Sequence, residues 1–122
     1  MSVQIKRIYE ETKESDGERV LVDRVWPRGV SKEKAALDDW DKDVAPSSEL
    51  RKWFQHDPEK FQRFAQAYKQ ELQSNQNSSE AFEALVEKAA SHTVTLLYAA
   101  KDETYNHAVL LKDWIEQRLH EK

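Results

Sequence analysis

The sequence predicts one α/β domain whose mostly parallel sheet is flanked by helices. The chain has 122 residues, a length that suits one hydrophobic core and is too short for two. Amphipathic stretches of helical period lie between the second and third of three apolar strand-like stretches, and another follows the third. This alternation is typical of a parallel sheet covered by helices. Residues 1–122 are therefore expected to form a single domain.

Three strands are predicted from β-branched and apolar residues. The first covers residues 3–9, which partly alternate in polarity. The second covers residues 20–26 and ends where Pro27 and Gly29 interrupt it; its uninterrupted Val-Leu-Val start indicates a strand buried on both faces. The third covers residues 93–99.

Helices are predicted from caps and from the spacing of apolar residues. Ser31 caps a short turn over residues 32–34, and the acidic segment 36–44 receives no element. Ser47 or Ser48 caps a short helix, because His56-Asp57-Pro58 soon follows. Asp57 and Pro58 then begin a longer helix with the apolar positions Phe61, Phe64, Ala65, Tyr68 and Leu72.

Two further helices complete the prediction. Residues 73–78 are interpreted as a polar linker, and Asn77 with Glu80 as a capping box for the next helix. That helix presents Phe82, Leu85, Val86 and Ala89 on one side. The last helix begins near Asn106 and carries the apolar positions Ala108, Leu111, Ile115 and Leu119.

Composition narrows the classes of function. The chain contains no cysteine, which excludes disulfides, thiolate nucleophiles and cysteine-based metal sites and agrees with a reducing compartment. No apolar run resembles a signal peptide or approaches the roughly 18 residues of a membrane span, so a cytoplasmic location without membrane contact is expected. A formal net charge of −4 does not favour nucleic acid as a partner, although segment 19–34 holds five basic residues against two acidic ones.

Ligands of parallel α/β sheets bind beyond the carboxyl ends of the strands, and this rule selects segments 23–29 and 100–107. Arg24 and Arg28 could bind an anion as two guanidinium forks, or equally well form structural ion pairs. Asp23 could act as a base or orient a partner, and it could also be a turn cap. Trp26 could stack on a flat ligand, with core packing as the alternative.

The histidines are weighed separately, because a lone histidine is more often structural than catalytic. His107 stands at a presumed helix N-terminus beside Asn106, shortly after Lys101 and Asp102, and is the first candidate for acid–base work. His56 lies beside Asp57, and Arg51 could supply charge nearby. No metal-binding motif, glycine-rich phosphate loop or nucleophile elbow is present, so neither a metal nor a cofactor is predicted.

Several strings together resemble one bacterial family. They include residues 19–32 (RVLVDRVWPRGVSK), 50–54 (LRKWF), 56–58 (HDP) and 95–102 (TLLYAAKD). In this order they resemble the YeaO-like family, classed as domain of unknown function 488, from about Ile5 to Trp114. The resemblance implies a small three-layer, Rossmann-like fold of the bacterial cytoplasm and brings no established activity.

At one place this chain differs from longer relatives in the family it resembles. Longer relatives have a Cys-His-Arg triplet where this chain has Asn106-His107-Ala108. A histidine would therefore be retained while a thiol and a guanidinium are missing, which weakens a thiol-based mechanism and catalysis in general.

Three hypotheses follow, and the sequence leaves open whether the chain is an enzyme. The first is a site that binds a small anionic or nucleotide-like ligand, with or without catalysis. Its proton-transfer candidates are Asp23, Asp102 and His107, and its ligand-binding candidates are Arg24, Trp26, Arg28, Arg51, Trp53, His56, Tyr98, Lys101 and Asn106. The second is a nucleic-acid-associated module that uses segment 19–34. The third is a structural or protein-interaction domain whose charged residues pair internally.

Overall fold

The computed structural model describes residues 2–121, and in it four strands form one sheet. They are β1 (Ser2–Arg7), β2 (Glu18–Leu21), β3 (Asp39–Trp40) and β4 (Thr93–Tyr98). The spatial order is β1-β4-β2-β3 and every pair is parallel. The predicted α/β class with a parallel sheet is confirmed. The last strand in the sequence therefore lies between the first two.

Five helices accompany the sheet in the described part of the chain. They are α1 (Lys32–Ala35), α2 (Ser48–Phe54), α3 (Phe61–Ser74), α4 (Gln76–Ser91) and α5 (His107–His120). Short 3-10 segments lie at Glu14–Asp16, Lys42–Val44 and Pro58–Lys60. None of the helices in residues 2–121 is long and apolar enough to cross a membrane.

The sheet buries apolar side chains on both faces, as the Val-Leu-Val run predicts. Val20 and Val22 join the larger core, formed with side chains of α2 to α5. Leu21 points the other way and packs with Leu97 and Ala35 in a second, smaller cluster. All these strand residues are essentially inaccessible to solvent. Helices thus cover one face of the sheet, and α1 with its flanking loops covers the other.

The predicted continuation of the second strand to Trp26 is wrong, because β2 ends at Leu21. Val22 still donates to the carbonyl of Leu97, but at the next position the side chain of Asp23 takes over and accepts from the backbone N–H of Ala99 at 3.0 Å. The backbone then leaves the sheet. The first strand likewise ends two residues earlier than predicted, at Arg7.

The acidic segment contains β3, which the sequence did not predict. Asp39 and Trp40 pair with Val20 and Leu21, and Trp40 donates from its indole to the carbonyl of Asp23 at 2.7 Å. A two-residue strand leaves almost no alternating pattern in the sequence. Its position comes from tertiary contacts that a local pattern does not carry.

The predicted linker over residues 73–78 is wrong as well. α3 continues to Ser74 and α4 begins at Gln76, so that Asn75 alone separates them. The side-chain oxygen of Asn75 accepts from the N–H of Ser78 at 3.1 Å, which caps α4 two residues before the predicted capping box at Asn77. The predicted cap Asp57 accepts from the N–H of Glu59, but it caps the 3-10 segment Pro58–Lys60, and the predicted long helix begins three residues later, at Phe61.

A buried ion cluster lies under the start of β2. Arg19 donates to Asp16 at 2.5 Å, and Lys6 contacts the same carboxylate at 2.6 Å. Burial would raise the pKa of Asp16, but hydrogen bonds from Lys6, the Lys13 N–H and Arg19 outweigh it and lower the pKa. The charge of Arg19, the first basic residue of segment 19–34, is therefore paired inside the protein.

Gly17, which directly follows Asp16 of this cluster, lies against β4. Its φ is +64°, and a Cβ atom there would lie 2.3 Å from the carbonyl oxygen of Thr93. Glycine thus lets the turn before β2 lie directly against the start of β4.

Candidate functional site

A cavity of about 800 Å³ opens where β2 and β4 end; we call it the carboxyl-edge cavity. Its wall also includes parts of α2, the loop before it, and the first residue of α5. The structure brings together eight residues predicted for the site. They are Asp23, Arg24, Arg51, His56, Lys101, Asp102, Asn106 and His107.

Asp23 and His107 form the innermost polar contact of this cavity. Nε2 of His107 lies 2.9 Å from the carbonyl oxygen of Val22 and 3.1 Å from Oδ1 of Asp23. Asp23 Oδ1 is buried and makes no hydrogen bond among the described residues. The other oxygen of Asp23 accepts from the Ala99 N–H. One carboxylate thus connects β2, β4 and α5.

Asn106 and Asp102 hold the loop before α5. Asn106 is buried; its oxygen accepts from the Val109 N–H at 2.9 Å, and its amide donates to the Asp102 carbonyl at 2.8 Å. Oδ1 of Asp102 accepts from the N–H groups of Tyr105 and Thr104, both at 2.9 Å. These two backbone donors lower the pKa of Asp102. The loop that presents Lys101 is therefore fixed by its own hydrogen bonds.

The basic side chains around the cavity are Arg24, Arg51, Lys52 and Lys101. Arg24 donates to the carbonyls of Pro46 and Ala45 at 3.2 and 3.0 Å, which ties the cavity wall to the loop before α2. Within residues 2–121, none of the four has a carboxylate partner within 4.0 Å. Asp23 and Asp102 are the acidic residues lining the cavity, so cationic side chains outnumber carboxylates there.

His56 lies on this wall in an uncommon backbone conformation. Gln55 and His56 have φ values of +48° and +57°, the left-handed region that non-glycine residues seldom adopt. The His56 ring packs 5.8 Å from the ring of Phe54, centroid to centroid. Two such residues in succession end α2 and turn His56 toward the cavity, a backbone strain that is common at functional sites.

Four predicted ligand-binding residues lie away from the cavity lining, namely Trp26, Arg28, Trp53 and Tyr98. Trp26 donates to the carbonyl of Val30 and packs edge-on against Trp40 in the smaller core cluster. Tyr98 is buried in the larger core. Because β2 ends early, the loop after Asp23 turns toward the other face of the sheet and takes Trp26 and Arg28 with it.

Four further residues that were not predicted for the site also line the cavity, namely Ser48, Lys52, Phe54 and Phe64. Lys52 directly follows Arg51, and this pair of adjacent basic residues was the sequence feature that could have indicated it. The phenylalanines appeared to be core positions, and they are buried. As lining residues they add apolar surface to the cavity. No group of three or more potential metal-binding side chains converges in residues 2–121.

Comparison with known proteins places this α/β domain in a family. Residues 2–122 match a family model described as the inactive DUF488-N3 subclade. The chain is also 44% identical over 115 residues to the uncharacterized protein YeaO of Escherichia coli (strain K12), a match that covers 94% of this chain and 97% of that protein. The chain therefore belongs to the YeaO-like DUF488 family, as its motifs indicated.

Another relative extends the match beyond the enterobacterial protein. The uncharacterized protein Rv3073c of Mycobacterium tuberculosis (strain ATCC 25618 / H37Rv) is 40% identical over 116 residues, which is 95% of each chain. No solved structure matches the chain.

Proposed function

We propose that the chain binds a small organic anion, a phosphate monoester or carboxylate, in the carboxyl-edge cavity. The observation that carries the proposal is the surplus of cationic groups there. Arg24, Arg51, Lys52 and Lys101 line the cavity together with two carboxylates. Because cationic side chains focus a positive potential into a concave site, an anion is the ligand that this charge pattern favours.

The two carboxylates do not cancel this surplus. Asp23 accepts from the Ala99 N–H and lies beside His107, and Asp102 accepts from two backbone N–H groups. Both are thus engaged within the protein. Arg51, Lys52 and Lys101 are exposed, and their flexible stems can reach a ligand in the opening. Phe54 and Phe64 supply apolar surface for its uncharged part.

The residues of the cavity support binding without covalent catalysis. The chain contains no cysteine, and Ser48 of the cavity wall has no histidine hydrogen-bonded to it among the described residues. The description of the matched subclade as inactive agrees with a binding protein.

Nucleic acid binding is less well supported, because segment 19–34 does not present its basic residues together. Arg19 is buried in an ion pair and Arg24 donates to loop carbonyls. Arg28, Lys32 and Lys34 remain exposed. They define a separate surface that a test can address independently.

The test is a thermal-shift and calorimetric titration with a panel of inorganic phosphate, sugar phosphates, nucleoside monophosphates, dicarboxylates and a short oligonucleotide. A ligand present at 100 times its dissociation constant should stabilise the fold by about 2.7 kcal/mol. The double substitution Arg51→Ala and Lys52→Ala should weaken binding by about tenfold or more, because it removes two unpaired cations from the site.

The matched control is Lys32→Ala with Lys34→Ala, which removes the same charge from the exposed turn α1. It should leave the affinity for small anions unchanged. The proposal is overturned if no small anion of the panel stabilises the protein. It is equally overturned if the control pair weakens binding as much as the cavity pair, or if the oligonucleotide alone binds and depends on Lys32 and Lys34.

A further inference from the structure

We infer that His107 is a fixed hydrogen-bond acceptor within the carboxyl-edge cavity, and that the bound anion therefore carries an O–H or N–H donor. The inference rests on the proposed function for its ligand and on the geometry of His107 for its chemistry. It identifies the ligand class as a phosphate monoester or carboxylate with a hydroxyl or ring N–H, such as a sugar phosphate or nucleotide.

The position of the ring proton follows from the neighbours of Nε2. The Val22 carbonyl oxygen and the Asp23 carboxylate, 2.9 and 3.1 Å away, are both acceptors. A bare nitrogen facing two oxygens would be repelled, so Nε2 carries the hydrogen. In the neutral ring, the second nitrogen, Nδ1, then has a free lone pair.

That second nitrogen is accessible to solvent. Nδ1 of His107 accepts no hydrogen bond from residues 2–121, and Asp23 Oδ1 is the buried side-chain atom of those residues left without a partner. Nδ1 is therefore not sealed inside the protein. Since His107 lines the cavity, a ligand in the cavity can donate to it.

The two groups that contact Nε2 of His107 are themselves fixed by backbone hydrogen bonds. Val22 is anchored through its N–H to the Leu97 carbonyl at 3.0 Å, and Asp23 is anchored by the Ala99 N–H. The imidazole sits at the first position of α5, with a side chain only 12% exposed. The acceptor is thus preorganised, and a site built to bond a ligand hydroxyl discriminates against analogues that lack it.

The first experiment determines the proton position by long-range ¹H–¹⁵N NMR of the ligand-free protein at about pH 8, where free imidazole is neutral. The expected spectrum of His107 has a protonated Nε2 and a bare Nδ1. A protonated Nδ1 in the unsubstituted protein overturns the inference.

The second experiment compares two probes of equal charge, glycerol 3-phosphate and propyl phosphate, which differ in their hydroxyl groups. The unsubstituted protein should bind glycerol 3-phosphate about tenfold more tightly. His107→Gln keeps an N–H at the position of Nε2 and removes the acceptor at Nδ1. It should abolish the preference, so that the variant binds the two probes with equal affinity.

The two outcomes that contradict the inference are distinguishable. Equal affinity for the two probes, or a preference that persists in His107→Gln, overturns the role of His107 and leaves anion binding intact. If neither probe binds and the wider panel also fails, the ligand class and the proposed function fall together. A circular-dichroism melt of His107→Gln confirms that any loss of preference occurs in a folded protein.

Discussion

The ionised carboxylate of Asp41 is disfavoured in the folded chain. Burial, followed by the nearby charges of Asp39 and Asp43, raises the pKa of Asp41 from 3.8 to about 6. Between these values the folded state holds a proton that the unfolded chain has lost. The free energy of unfolding therefore decreases as the pH rises through this window, and the full penalty is present above about pH 6.

Replacing Asp41 by Asn should therefore stabilise the protein at neutral pH. A shift of this size would correspond to about 3 kcal/mol for a sealed site, but Asp41 is partly exposed and solvent screening reduces the effect to about 1 kcal/mol. Urea denaturation at pH 7.5 should show this gain for Asp41→Asn. The gain should disappear when the measurement is repeated below about pH 4, where both states are protonated.

A suitable control is Asp113→Asn on the exposed side of α5, which should change the free energy of unfolding by less than about 0.5 kcal/mol at both pH values. A stabilisation by Asp41→Asn that is equal at the two pH values would show that ionisation is not its cause.

Many of the residues that line the carboxyl-edge cavity could be predicted from the sequence, but their contacts could not. The strand-end rule selected Asp23 and His107 because both follow parallel strands. It could not show that they touch, since their contact depends on where α5 begins. Trp26 was wrongly predicted to lie at the site because its loop leaves the sheet edge after Asp23. No local sequence pattern indicates this change of direction.

The turn at Gly17, between the 3-10 segment and β2, lies directly against the start of β4. We expect Gly17→Ala to destabilise the fold by at least about 3 kcal/mol, because its Cβ would overlap the Thr93 carbonyl and its backbone conformation disfavours any side chain. The change should appear in chemical denaturation as a lower midpoint with an unchanged slope.

Gly29→Ala is the matched control. Gly29 also has a positive φ, +73°, but no atom lies within 4 Å of its ideal Cβ position. It should cost about 1 kcal/mol through backbone strain alone. Similar losses for the two substitutions would mean that conformation, and not the approach of β4, sets the requirement for glycine at Gly17.

Elements with a long repeating pattern could be predicted, whereas short ones could not. α3 and α5 follow from apolar residues spaced three and four apart, and β4 follows from a continuous apolar run. β3 has two residues and is defined by its neighbours. The boundary between α3 and α4 was predicted as a linker because residues 73–78 are polar. Polar residues without glycine or proline can remain helical, and here a single capping residue, Asn75, separates the two helices.

Across the whole molecule, β4 is the strand on which the sheet depends. It pairs with β1 from Ser2 to Arg7 and with β2 from Glu18 to Leu21. We expect the amide protons of Thr93–Tyr98 to exchange most slowly with solvent, at a free energy of opening close to that of global unfolding. Native-state hydrogen exchange followed by NMR measures both quantities.

The amides of the four-residue helix α1 serve as the comparison, because their hydrogen bonds are not part of the ladder between strands. They should exchange through a local opening of much lower free energy. Slower exchange in α3 or α4 than in β4 would place the most stable part of the fold in the helices and contradict the expectation.

The central place of β4 also determines when a newly made chain can fold. β1 and β2 leave the ribosome first, yet they are not neighbours in the sheet and have no partner in common until residue 98 has been translated. Their apolar side chains must wait through the synthesis of α2, α3 and α4. β1 and β2 can therefore join one sheet only late in synthesis, and until then their exposed apolar side chains leave the nascent chain open to aggregation.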